Sequence, residues 1–356
     1  MQLTVDALSR PLRAPFPAGH GTVTDRPLVL VTLRAADGAV GHGEAAPLES
    51  YDGVSVADVL VALDACRPVL QAYPGHAPVA DVVARCAEVT TIAPALAAID
   101  LALWDLAGKR AGQPVWRLLG GAAAAAGPGP LIEVNRTISA ADRSGAAQQA
   151  AEARVAGFRT VKLKVGIGDD AGRVAAVRAF GGPQLAIRID ANGIWEVDEA
   201  IAALRSLEPS GIELCEEPVH GLDGFAELRG VTTVPLALDE SADLPGALDE
   251  RHADLICLKV SRCGGIGGTL VAAERARAAG YEVYLASTLD GPLGIAAALH
   301  CAALIGPRHA CGLATLELYA GGEDPLAPRD GAIAVPAAPG LGDGLERWYV
   351  TGTTAT

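Results

Sequence analysis

The feature that most constrains this chain is a series of short apolar runs between about residue 131 and residue 287, most of them closed by an ionic residue. The runs are LIEVNRTI, TVKLKV, LAIRID, IELCEE, VPLALDE, DLICLKV and YEVYLAS, and helix-length segments, many of them rich in alanine, separate them. Strands that alternate with helices pair in parallel, because a parallel pair needs a crossover connection. About seven or eight such units predict a closed barrel rather than an open sheet.

The rest of the chain reads differently. Residues 1 to about 50 predict strands and turns, with a hairpin at Asp37-Gly38 inside LVLVTLRAADGAVGHGE. Residues 54–120 predict helices. The clearest is PALAAIDLALWDLAGKRAG, with Pro94 near its start, Gly108 and Gly112 near its end, and Leu96, Ile99, Leu103 and Leu106 at helical spacing. GGAAAAAGPGP, 120–130, reads as a linker. From about 315 the chain turns rich in Pro and Gly and ends in a short strand, GAIAVP, read as a return to the first domain.

Composition excludes several functions. Half the residues are hydrophobic (50%) and 20% are charged, enough apolar material for a large core and too little charge for global disorder. A net charge of −14 argues against nucleic acid and against an anionic membrane as partners. It leaves room for an anionic substrate at a locally positive site. The 7 cysteines contain no C-x-x-C pair and lie mostly in apolar runs, which predicts reduced, buried thiols in a cytoplasmic protein. The start lacks the pattern of a signal peptide, and no apolar stretch is long enough for a membrane span.

The ionic residues carry the functional signal. Lys164, Asp190, Glu216, Asp239 and Lys259 end five successive runs, about 20 to 26 residues apart, which is one strand plus one helix plus loops. In a barrel such strand ends converge on one mouth. Singly, Asp190 or Asp239 could cap the next element and Glu217 could be a solvated turn residue. Lys162 and Lys164 share a strand face that a barrel turns inward. Together, three carboxylates without His or Cys point to a hard divalent cation, Mg²⁺ first and Mn²⁺ second. A substrate carboxylate on that ion gains stabilisation as its α-proton leaves. A lysine near the ion and near another lysine should have a lowered pKa, suited to a base.

At these residues the sequence resembles the enolase superfamily, in its muconate-lactonizing-enzyme subgroup. VKLKVG, RIDANGIW, CEEPV, LDES and ICLKVSRCGGIGG carry the resemblance, with AAIDLALWDLAGKRAGQPVWRLLG in the first domain. It implies an α/β fold: a modified TIM barrel, (β/α)7β, over 126–314, an α+β capping domain over 1–125, and a C-terminal segment, 315–356, returning to the cap. It implies mobile cap loops at about 14–24 and 47–54. By the same resemblance Asp190, Glu216 and Asp239 hold Mg²⁺, Lys164 is the base, and Lys162 assists it. Lys259 is a second acid/base or a fixed cation, and Asn192 and Glu240 orient the ligands. Tyr51, Ser287 and Asp290 are candidate substrate contacts, although Asp290 is read first as the cap of the following helix. The partner implied is a small-molecule carboxylate. Homo-oligomers are usual for such folds.

Three reactions share this set. The favoured expectation is o-succinylbenzoate synthesis, dehydration of 2-succinyl-6-hydroxy-2,4-cyclohexadiene-1-carboxylate in menaquinone biosynthesis, because STLDGPLGIAAALH with ACGLAT is similar to such synthases. The alternative is racemisation or epimerisation of N-acylamino acids or dipeptides, and the third is muconate cycloisomerisation. Dipeptide epimerases of the family carry an acidic pair at the last strand, and HACGLATLEL has none. A Schiff-base aldolase with Lys164 or Lys259 as nucleophile is the reading from another class, and a non-catalytic scaffold is a further one. His300 and His309 read as structural, and Trp104 and Trp116 as packing between cap and barrel.

Overall fold

The computed structural model describes residues 1–18, 21–73, 76–120 and 129–350. Strands β1 (Gln2–Ala18), β2 (Gly21–Arg34) and β3 (Val40–Ala45) form an antiparallel sheet in that order. Gly38, at φ +87°, makes the β2–β3 turn. The segment 14–24, expected as a loop, is instead the far end of the β1–β2 hairpin, with residues 19–20 outside the described residues. Phe16 faces Val23 there and both are buried against the barrel, so packing extends the pairing.

Helices α1 (Glu49–Asp52), α2 (Val56–Ala72), α3 (Val79–Ala87), α4 (Ala93–Ala111) and α5 (Val115–Leu118) follow. Ser55 and Asp58 close a capping box on α2. Gly112 ends α4 in the left-handed region. Gly108, read as an end signal, lies inside α4, where a Cβ would stand 2.7 Å from Gly340 Cα. Most of the 120–130 linker falls outside the described residues.

After β4 (Leu131–Glu133) the barrel strands are β5 (Arg136–Ile138), β6 (Thr160–Lys164), β7 (Ala186–Asp190), β8 (Ile212–Glu216), β9 (Leu236–Leu238), β10 (Leu255–Leu258) and β11 (Glu282–Leu285). β5 to β11 pair in parallel in chain order. Parallel bridges Val134↔Cys311 and Ala286↔Gly312 close the circle. Outside it run α6 (Arg143–Val155), α7 (Asp170–Gly181), α8 (Val197–Leu207), α9 (Leu222–Leu228), α10 (Ile266–Ala278) and α11 (Pro292–Ile305). The β9–β10 connection departs from the expected alternation. It holds one 3-10 turn, Glu240–Asp243, because Pro245 and Gly246 (φ +89°) interrupt any helix.

Strand β12 (Ala332–Ala334), within GAIAVP, pairs with β4 at the barrel rather than with the cap sheet. The chain reaches the cap beyond it, where Val115 donates to Gly340 O at 3.0 Å and Tyr349 of α12 (Arg347–Val350) donates to Glu44. The cap keeps a core of its own, while the barrel core runs on into the cap through Leu12, Phe16, Leu28 and Leu101. Trp116 is buried in that joint core and Trp104 packs against both, so the two tryptophans lie between cap and barrel. His300 is fully buried, with Nε2 3.1 Å from Leu341 O.

Two cap carboxylates dock on barrel helices. Asp100 accepts the Ile266 N–H at 2.6 Å at the start of α10, and Glu44 accepts the Gly291 N–H at 2.7 Å at the start of α11. Asp290 does not cap α11: Gly291 holds that position, and Asp290 accepts the Thr288 hydroxyl at 2.6 Å. Among the described residues no helix is long and apolar enough to cross a membrane.

Candidate active site

Strand register assembles the site. Lys164 is level with Asp190, and Asp190 with Glu216, on β6, β7 and β8. Asp239 and Lys259 follow the last residues of β9 and β10. Parallel neighbours in register turn these side chains to one mouth, although more than 90 residues separate the first from the last.

The ionic contacts are close. Lys162 Nζ bridges Asp190 at 2.8 Å and Glu216 at 2.7 Å. Lys164 Nζ donates to Asp190 at 2.5 Å and to Asn192 Oδ1 at 2.6 Å. Asn192 in turn donates to Glu240 at 2.9 Å, so Lys164, Asn192 and Glu240 form one chain. Lys259 Nζ donates to both oxygens of Asp239 (2.5 and 2.7 Å) and to the Tyr51 hydroxyl. Tyr51, from the cap segment expected as a loop and here helix α1, donates to Asp239 at 2.9 Å, and the Arg262 guanidinium lies 4.7 Å from its ring.

Burial sets the electrostatics. Burial pushes the Glu216 carboxyl up to about 7. Burial would also raise Asp190, but Lys162 and Lys164 overcome it and hold that group at about 2. Burial opposes the charge on Lys162 and Lys259, yet the facing carboxylates outweigh it and raise both. The lowered lysine values expected from the sequence presuppose a cation among the carboxylates, whereas here the carboxylates act on the amines directly. Such a buried acid set suits a divalent ion: its oxygens are hard donors, and Asp190, Glu216 and Asp239 are the residues that would hold it.

Among the described residues, however, the ligand atoms that all come within 4.8 Å of one another are those of Glu216, Asp239 and Cys257. Asp190 is drawn off by the two lysines on one oxygen and by the Asn192 N–H (2.9 Å) on the other. Cys257 was read only as a buried thiol, and its sequence signal was its place two residues before Lys259. Glu217 is no solvated turn residue: it is fully buried, at φ +39°, and accepts the Asp239 and Ser241 N–H groups at 2.8 and 2.9 Å. It braces the segment that carries Asp239. Burial, then Glu240, pushes its carboxyl up to about 9.

A cavity opens over this cluster, lined by Lys162, Lys164, Lys259, Asp239, Asn192 and Tyr51, and on the far side by Phe16, Asn135, Thr137, Ser287 and Thr315. Ser287 pairs with Thr315 at 2.8 Å. Asp290 faces another, smaller cavity beside Glu44, away from this one. Asn135, Thr137 and Thr315 escaped the sequence reading because a lone neutral polar residue carries no pattern. His309 lies outside the cavity, 2.9 Å from Glu213 and 2.8 Å from Glu282.

Comparison with known proteins gives the family. Residues 1–120 match the family described as mandelate racemase / muconate lactonizing enzyme, N-terminal domain, and residues 145–347 match the enolase C-terminal domain-like family. The chain is 32% identical to the L-Ala-D/L-Glu epimerase of Bacillus subtilis, over 85% of this chain and 84% of that protein. It is 31% identical to the N-succinyl-L-Arg/Lys racemase of Bacillus cereus, over 83% and 82%. The dipeptide epimerase of Enterococcus faecalis, solved with Mg and L-Leu-L-Tyr, superposes with a TM-score of 0.86 at 28% identity, covering 96% of this chain and 98% of that one. The o-succinylbenzoate synthase of Thermobifida fusca matches at 36%, but over 58% of this chain and 68% of its own. The balance therefore moves from the synthase, favoured on sequence, toward racemases and epimerases.

Proposed function

The chain belongs to the enolase superfamily, in its mandelate racemase/muconate lactonizing enzyme family, and from that premise we propose that it inverts a carbon next to a carboxylate, as an N-acylamino acid racemase. It is an enzyme of the racemase, epimerase and cycloisomerase kind. The observation that carries the finer reading is the placement of two amines in one cavity, Lys164 on β6 and Lys259 after β10, with three strands between them in the sheet. In an eight-stranded ring such positions face each other. Lys164 removes the α-proton from one face, and Lys259 delivers a proton to the other. Magnesium held by Asp190, Glu216 and Asp239 would supply the positive charge that acidifies the α-carbon. Lys162 adds charge beside the substrate carboxylate, and Asn192 holds the Lys164 amine in place.

The far wall supports the substrate class. Among the described residues, Asp239 is the one acid that lines the cavity, and it is taken by Lys259 and Tyr51. A free substrate ammonium would meet no counter-charge, which is costly in a closed site. An acylated nitrogen instead finds Asn135, Thr137, Ser287 and Thr315 as neutral hydrogen-bond partners. Dipeptide epimerisation is thus the second choice. The synthase is the third, kept by its 36% identity. Seven free cysteines support a reducing, cytoplasmic setting.

The test is a panel of N-acylamino acids, dipeptides, cis,cis-muconate and the cyclohexadiene precursor of o-succinylbenzoate, with Mg²⁺, read in deuterated water. The expected result is α-deuteration and loss of optical rotation with N-acylamino acids. Turnover confined to the cyclohexadiene compound overturns the reading.

A further inference from the structure

The Glu216–Asp239–Cys257 group has a structural origin. Leu255 pairs with Ala237, so two residues further along both strands Cys257 comes level with Asp239, and Glu216 pairs with Ala237 from the other side. All three side chains are buried, and their ligand atoms lie within 4.8 Å of one another. Asp190 stands outside that group, its oxygens taken by Lys162, Lys164 and the Asn192 N–H.

We propose that this centre holds two overlapping donor sets. Asp190, Glu216 and Asp239 form an all-oxygen set for a hard ion. Glu216, Asp239 and Cys257 form a mixed oxygen and sulfur set for a thiophilic divalent ion such as zinc or cadmium. Magnesium takes oxygen donors and keeps its waters, so Cys257 stays a thiol beside it. Zinc and cadmium accept thiolate together with carboxylate. As the metal–sulfur bond forms, the thiol proton leaves to solvent. The ion then occupies two of the three carboxylates that the magnesium set uses, so the two ions exclude each other. The mixed set depends on no assignment of reaction or substrate; only the exclusion rests on the magnesium set of the preceding section.

The test is titration of the full chain with cadmium chloride, followed in the ultraviolet and by proton release in weak buffer. A sulfur-to-cadmium charge-transfer band should rise and saturate at one ion per chain, with release of a proton, and excess magnesium chloride should suppress both. Cys257→Ser should lose the band and bind cadmium at least about tenfold more weakly. Cys215→Ser should keep the band, since that sulfur faces the Glu216 carbonyl at 3.9 Å. Circular dichroism verifies that each variant is folded. No band in the wild type, or a band that survives in folded Cys257→Ser, overturns the proposal. Should Cys257→Ser not fold, Cys257→Ala takes its place, and a band that survives in folded Cys257→Ala overturns the proposal in the same way. A failed substrate panel leaves the cadmium band and its loss in Cys257→Ser unaffected, so the two readings fail separately.

Discussion

Substituting Gly43 by Ala should unseat the cap. Gly43 lies on β3, against α4, and a Cβ there would stand 2.8 Å from Ala102 N and 3.1 Å from the Ala98 carbonyl carbon while overlapping its oxygen. Carbon makes comfortable contact at about 3.5 Å or more. The obstruction is helix backbone, so no rotamer change relieves it, and strand and helix must part by about 1 Å. An added methyl in a packed core costs about 1–3 kcal/mol, and a backbone obstruction places this one near 3 kcal/mol. The shift also pulls on the neighbouring Glu44 and its 2.7 Å bond to Gly291. In urea unfolding followed by tryptophan fluorescence, a loss of about 3 kcal/mol moves the midpoint down by about 1 M. Gly38→Ala is the control, because a Cβ there meets nothing within 4 Å and costs only the backbone strain of its φ, about 1–2 kcal/mol. A Gly43→Ala midpoint equal to the wild type, or above that of Gly38→Ala, would refute the packing argument.

Further predictions concern protons, positioning and specificity. Burial and Asp290 push the Glu44 carboxyl up from 4.5 to about 8, so the folded state holds a proton that the unfolded chain releases. Stability should therefore fall as pH rises between about 4.5 and 8, and since burial raises Asp100 and Glu216 as well, Glu44→Gln should flatten that slope in thermal melts without abolishing it; parallel curves would count against it. Asn192→Leu, which removes one of the two acceptors that hold the Lys164 amine, should lower α-proton exchange about 10–100-fold with little change in KM; an equal rise in KM would show a binding role instead. Thr315→Asp should place an acid on the neutral cavity wall and move kcat/KM toward free-amine dipeptides by about tenfold or more, and an unchanged ratio would refute the charge argument. EDTA should silence exchange and Mg²⁺ restore it, whereas borohydride with substrate should trap no adduct.

What was legible in the sequence was whatever a single strand and its end could state. Lys164, Asp190, Glu216, Asp239 and Lys259 each close a run, and register does the rest. Residues whose role depends on a distant partner were not legible. Glu44 and Asp100 read as ordinary acids until α10 and α11 are placed over them. Cys257 needed the offset between β9 and β10. The resemblance set a loop at 14–24, and its Pro and Gly content raised no objection; the burial of Phe16 and Val23 that extends the strands there is something only the folded barrel provides. Asp290 seemed a helix cap because local pattern could not show that Gly291 holds that place.

The seating of Glu44 and Asp100 on two adjacent helix starts bears on how such enzymes could be recombined. A lid borrowed from a cousin would fit only if its acids met those same openings, since otherwise peptide hydrogens would be left dry inside a closed joint. Chimeras chosen by the mouth residues alone should therefore be poorly soluble, while those that carry both anchors across should remain workable.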